Sequence, residues 1–200
     1  MNADINEEKE KDDNIQFSDK INEAWLFIWE IVKIVVISLV IILPIRYWVA
    51  QPFFVKGASM EPNFYSGDYL IVNEITYQFN TPRRGDVIVF RFPQGQKEFF
   101  IKRIIALPGE TIEIKDSIIT IFNNGHPEGM KLDQSKYLSS ATITPRNLKT
   151  KLDENEFFVL GDNRSKSYDS GDWGPLQRAL IIGKAWIRLW PFDKVGVIKN

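Results

Sequence analysis

Three separated segments carry side chains that together could hydrolyse a bond. Gly57-Ala58-Ser59-Met60-Glu61-Pro62 offers a hydroxyl in a turn. Phe99-Phe100-Ile101-Lys102-Arg103-Ile104-Ile105-Ala106-Leu107 sets an amine in an apolar run. Gly161-Asp162-Asn163-Arg164-Ser165-Lys166-Ser167-Tyr168-Asp169-Ser170 is a turn-rich cluster of hydroxyls and carboxylates. Serine is a weak nucleophile until a base takes its proton, and lysine can be that base only when neutral. Its reference pKa is about 10.4. Burial lowers that value because it penalises the charged form. Strand alternation puts Phe100, Lys102 and Ile104 on one face and Ile101, Arg103 and Ile105 on the other. Lys102 then stands between apolar neighbours. These are the parts of a Ser/Lys hydrolase.

The residue types that are missing narrow the chemistry further. The 200 residues include no cysteine and one histidine. A disulfide framework, a thiol protease and a Cys-based zinc site are excluded, and a His-rich metal site is excluded by count. His126 lies in Asn124-Gly125-His126-Pro127, a turn signal, so a Ser-His-Asp triad would have to rest on a loop residue. Glu61 occupies the last position of a would-be G-x-S-x-G elbow. No serine is followed three residues later by lysine. What remains is a serine with a distant lysine, and neither metal nor cofactor is expected. The net charge of -1 leaves no electrostatic footprint for nucleic acid.

Other elements must position this chemistry. Residues 1–23 are acidic and polar, and cannot bury a core. They are read as a cytoplasmic, disordered tail. Residues 24–46 are read as a transmembrane helix: Trp25 to Ile45 meets the roughly 20 apolar residues a bilayer needs. Trp25, Trp29, Tyr47 and Trp48 would lie at the interfaces. Lys9, Lys11, Lys20 and Lys33 on the N-terminal side favour a cytoplasmic N-terminus, which makes residues 47–200 an extracytoplasmic domain on a single-pass anchor. From Gln51 onward the pattern is β. Tyr69–Val72, Asp86–Phe90, Phe99–Leu107, Thr111–Ile114, Ser117–Phe122, Phe157–Leu160 and Lys184–Leu189 are short strand-like runs between turn signals. Residues 115–155 read as a polar insertion or cap. The expectation is a mainly β chain, with a partly barrel-like catalytic domain after the helix.

In this order, the segments resemble the type I signal peptidase family, in its single-span bacterial branch. The nucleophile box is Gly57 to Pro62. Gly67-Asp68-Tyr69 and Arg84-Gly85-Asp86-Val87-Ile88-Val89-Phe90 are similar to its next blocks. Lys102 to Glu110 looks like its lysine box. Gly161-Asp162-Asn163-Arg164 with Ser167, Asp169-Ser170 and Gly174 resembles its last box, and Gly183-Lys184-Ala185 and Arg188-Leu189-Trp190-Pro191 also fit.

The resemblance implies a membrane-bound serine endopeptidase that cuts signal peptides from secretory preproteins after small residues, as in Ala-X-Ala. It implies Ser59 as nucleophile, Lys102 as general base, Ser167 orienting the lysine and Asp169 supporting that serine. The Ser59 backbone N–H would serve the oxyanion. Gly57 supplies no side-chain donor, so a second one is unassigned. Phe54, Val55, Ile101 and Ile104 are the candidates for the substrate pockets. The family usually has arginine after Asp-Ser. Here that residue is Gly171, so a salt bridge to Asp169 needs Arg164 or another residue. The partners expected are preproteins and membrane lipid, with the enzyme monomeric. Two rival readings are a self-cleaving repressor, which would carry a DNA-binding domain, and a catalytically inactive, membrane-anchored β module that binds peptides by strand addition.

Overall fold

A computed structural model describes residues 25–43, 50–95 and 97–198. The acidic tail, Pro44, Tyr47 and Trp48 lie outside the described residues. The chain forms two units, 1–47 and 48–200. In the first, helix α1 spans Trp25–Leu43, with none of its side chains buried. Its many Ile and Val residues are mediocre helix formers in water. No Gly or Pro interrupts them, and the helix is long and apolar enough to cross a membrane.

The second unit is mainly β, with two antiparallel sheets. Its strands are β1 (Ala50–Phe54), β2 (Tyr69–Asn73), β3 (Val87–Arg91), β4 (Phe99–Ala106), β5 (Thr111–Lys115), β6 (Ile118–Asn123), β7 (His126–Lys131), β8 (Leu148–Lys151), β9 (Glu156–Leu160), β10 (Leu176–Gln177), β11 (Ile181–Trp190) and β12 (Gly196–Val197). Two single-turn helices, α2 (Thr76–Phe79) and α3 (Ser170–Trp173), interrupt them. The large sheet runs β1-β2-β11-β3-β4-β9-β10, with β12 paired to β11, and the small one runs β7-β6-β5-β8. Neither closes into a barrel.

The small sheet shows the sequence pattern most directly. Ile112 and Ile114 of β5 pair with Ile121 and Ile119 of β6 on its buried face. The turn between them, Asp116-Ser117, takes positive φ at both residues (50° and 66°). This is the left-handed geometry whose twist suits a two-residue hairpin. The polar stretch after Asn123 contributes β7 and β8, which flank this hairpin as edge strands. Much of their length faces solvent, so no alternating pattern marks them.

Strands β3 and β4 are covered on both faces. Ile101 and Val89 pack with Val55, Met60 and Leu70. Phe100 and Ile104 pack with Ile88, Phe90 and Phe157 on the other side. Such strands read as nearly continuous apolar runs. A charged side chain in one of them is therefore desolvated from the outset.

Candidate active site

Ser59 sits in the turn that leaves β1. Its hydroxyl oxygen lies 2.7 Å from the Lys102 amine, across 43 residues of sequence. Lys102 Nζ also donates to the Ile101 carbonyl at 3.0 Å. The Phe100 ring centroid is 5.3 Å away. Lys102 is 4% exposed. Burial pulls its pKa down from 10.5 to about 8, against the opposing pull of the Asp169 and Asp162 carboxylates. A substantial fraction of the amine is therefore neutral near pH 8. In that form its lone pair can accept the Ser59 hydroxyl proton.

The turn after β9 clamps the Ser59 segment. Asn163 donates twice: its backbone N–H to the Ser59 carbonyl at 3.0 Å, and its side-chain amide to the Ala58 carbonyl at 3.1 Å. A Cβ on Gly161 would collide with the Ser59 carbonyl and the Ser167 side chain. Glycine is required there by close approach. With its carbonyl held in this way, the Ser59 N–H takes part in no hydrogen bond among the described residues.

A buried ion pair fixes the turn to β4. Arg103 Nε and Nη2 donate to the two Asp162 carboxylate oxygens at 2.8 and 2.7 Å, and Asn63 donates to the same carboxylate at 2.8 Å. Arg103 also lies over the Tyr137 ring, 4.1 Å from its centroid. The residue after the lysine thus holds the strand to the turn that holds the serine. Both ions are essentially solvent-free, which is tolerable only because the fork geometry satisfies them.

Asp169 caps α3. Its oxygens accept the Gly171 N–H at 3.1 Å and the Gly161 N–H at 3.0 Å. The capping box is completed by Asp172, which accepts the Asp169 N–H at 3.0 Å, satisfying donors that a helix start leaves free. Arg146, from the segment joining β7 to β8, pairs with Asp169 at 2.5 Å. It also donates to the Ser167 carbonyl and to Asp172, both at 2.9 Å. Arg164 binds elsewhere, to the Gly161 carbonyl, the Thr144 hydroxyl and Gln134. The Ser167 hydroxyl is buried with no hydrogen-bond partner among the described residues.

A cleft of about 590 Å³ opens beside Ser59 and Lys102. Phe54, Val55 and Ile101 line it, with Phe53, Val89 and Phe99. Ile104 does not line this cleft. Two residues further along β4, it pairs with Val159 of β9 and is wholly buried beside Ile88 and Phe90. His126 is the exposed first residue of β7, its ring 3.4 Å from Glu128, and the described residues hold no cluster suited to a metal ion. Sequence reasoning missed Arg146, and it gave no structural part to Arg103, Asp162, Asn63 or Asn163. A hint was present for Arg103: a second cation in an apolar strand, facing away from the first, needs a buried anion.

A family profile described as signal peptidase, peptidase S26, matches residues 28–190. A signal peptidase I from Leptolyngbya laminosa is 40% identical over 172 residues, covering 82% of this chain and 81% of that protein. A probable signal peptidase I-1 from Synechocystis is 37% identical over 185 residues, covering 88% and 89%. A signal peptidase I from Bacillus caldolyticus is 35% identical over 166 residues, covering 79% and 89%.

Proposed function

The chain belongs to the signal peptidase S26 family, and from that premise we propose that it removes N-terminal signal peptides from secretory preproteins with Ser59 as nucleophile and Lys102 as general base. The observation that carries this reading is the 2.7 Å approach of Lys102 Nζ to Ser59 Oγ at the edge of an apolar cleft. Neutral Lys102 accepts the hydroxyl proton as Oγ attacks the scissile carbonyl carbon. The tetrahedral oxyanion takes the Ser59 N–H as donor, a dipole already fixed by the Asn163 clamp. Lysinium then returns its proton to the departing amine. Water, deprotonated by the same lysine, releases the acyl group. Asp169 acts by holding the 161–169 turn.

Cleavage after small residues, as in Ala-X-Ala, follows if Phe54, Val55 and Ile101 form shallow pockets beside the nucleophile. Helix α1 supports membrane anchoring. We read residues 24–46 as a single span, 1–23 as a cytoplasmic tail and 47–200 as an extracytoplasmic, monomeric peptidase domain with 115–155 inserted in it. The substrate's own apolar segment would then lie in the same bilayer.

The decisive test is cleavage of a purified preprotein by the full chain in lipid. Ser59→Ala should abolish processing while the domain stays folded; retained turnover would refute the assignment. A preprotein with Trp in place of Ala just before the cut should resist cleavage. Protease treatment of intact cells should reach the chain after Gln51, and protection there would overturn the topology.

A further inference from the structure

Residue 171 is the position at which the resemblance places an arginine, and here it is glycine. Its backbone is not in the left-handed region, so no conformational demand explains the choice. The space does explain it. The three nearest atoms to a Cβ on residue 171 would all belong to Arg146: its Cδ and Cζ at 2.8 Å, and Nη1 closer still. The Arg146 guanidinium thus occupies the volume that a side chain at 171 would need. From there it binds the Asp169 carboxylate, the Ser167 carbonyl and Asp172. Its side chain is 17% exposed and that of Asp169 only 1%. One guanidinium nitrogen meets Asp169 and the other spans the Ser167 carbonyl and Asp172, a geometrically demanding arrangement.

We propose that Arg146 is a positioning residue of the catalytic centre, supplying from the β7–β8 connection the guanidinium that fixes Asp169 and, through it, the 161–169 turn against Ser59 and Lys102. This inference rests on the Ser59–Lys102 reading above. Asp169 links the two ends of the turn, because its second oxygen accepts the Gly161 N–H at 3.0 Å, and Gly161 abuts the Ser59 carbonyl. Freeing the carboxylate therefore loosens the clamp on the nucleophile. The charge change has a separate consequence. The charged groups acting on Lys102 are Asp169 and Asp162, with Asp162 paired to Arg103. Glu98, Lys56 and Lys166 line the same cleft. Around Asp169 stand Arg146 and Asp172, and Arg164 feels its charge. Removing Arg146 leaves Asp169 less compensated, which favours lysinium and raises the pH at which Lys102 becomes a base.

The test is a two-site exchange in the full chain, assayed in lipid on a preprotein across pH. Arg146→Ala should lower kcat roughly ten- to hundredfold, the scale of a misplaced catalytic group, with KM little changed. The rising limb of its pH profile should move up by about 0.5–1 pH. Gly171→Arg alone should impair the enzyme, because both guanidinium groups claim one space. Arg146→Ala/Gly171→Arg should recover most of kcat and return the pH limb. Arg146→Ala with wild-type kcat and pH profile would overturn the proposal. So would a folded double variant no better than the worse single one. If Arg146→Ala does not fold, the double variant decides: folded and active supports the exchange, unfolded or inactive refutes it. Ser59→Ala runs alongside, and activity there would defeat the Ser/Lys reading itself rather than the role of Arg146.

Discussion

Ile112, Ile114, Ile119 and Ile121 fill the inner face of the small sheet, whereas the interior around β4 and the turn after β9 holds Lys102, Arg103, Asp162, Arg164, Ser167 and Asp169, all buried. In the small sheet, burial of each aliphatic side chain contributes roughly 1.5–3 kcal/mol and asks little of geometry. Around β4 every ion must be paired or the fold suffers. Arg103 has Asp162, Asp169 has Arg146, and Arg164 has carbonyl and hydroxyl acceptors. Lys102, like Arg164, meets only neutral acceptors, but an amine, unlike a guanidinium, can shed its charge. Its bonds go to a hydroxyl and a carbonyl, and no carboxylate touches it among the described residues. The difference teaches where the two regions place their specificity: one in shape, the other in a buried amine that no carboxylate contacts among the described residues.

The contrast breaks most visibly at Lys102. Lys102→Met should lower turnover by on the order of a thousandfold or more, as removal of an essential base does. The same change should stabilise the fold. The folded pKa of about 8 lies below the free value of 10.5, so between those values the unfolded chain binds more protons and stability rises with pH. Below about pH 8 the wild type bears the full cost of burying the amine. Lys102→Met should therefore gain ~1–3 kcal/mol at pH 7, a gain that shrinks toward pH 10.5. Denaturant titrations at the two pH values check this, and a destabilised Met variant would contradict it. In the wild type, kcat/KM should climb about tenfold per pH unit below 8 and level off above. A flat profile would dismiss lysine as the base.

Asp162→Ala tests the paired ions. It leaves Arg103 buried without its carboxylate and should cost about 3–5 kcal/mol, together with activity, because the Asn163 clamp loses its anchor. A thermal melt within a degree of wild type would show that the pair is dispensable. The small sheet supplies the mildest case. Ile121→Val should cost about 0.5–1.5 kcal/mol and lower Tm by a few degrees, with kcat/KM unchanged. A loss of turnover at equal occupancy of the folded state would mean that the two regions are not separable.

What the sequence disclosed follows the same division. β2 through β6, β9 and much of β11 coincide with runs visible as alternation or continuous apolar stretches. Lys102 stood out because a cation clashes with an apolar run, and Ser59 because its turn stands in order before that lysine and the later polar cluster. The short or edge strands β1, β7, β8, β10 and β12 did not. His126-Pro127-Glu128-Gly129 carries no apolar face, because β7 is half in water. Nor was Arg146 legible. Its importance comes from the volume left by Gly171, 25 residues away, and a glycine outside a turn reads only as an absence. Arg164, the nearer cation in sequence, was the natural guess for Asp169. The chain turns it toward Thr144 and Gln134 instead.

The clamp on Ser59 also sets an order in time. Asn163 reaches the Ser59 carbonyl across 104 residues of chain, and contacts of such separation close late in folding. A chain emerging from the ribosome as far as residue 150 already holds its serine and its lysine, but not the turn that fixes them. Protease competence arrives only with the last quarter of synthesis, after the apolar helix at the other end has long since left the exit tunnel.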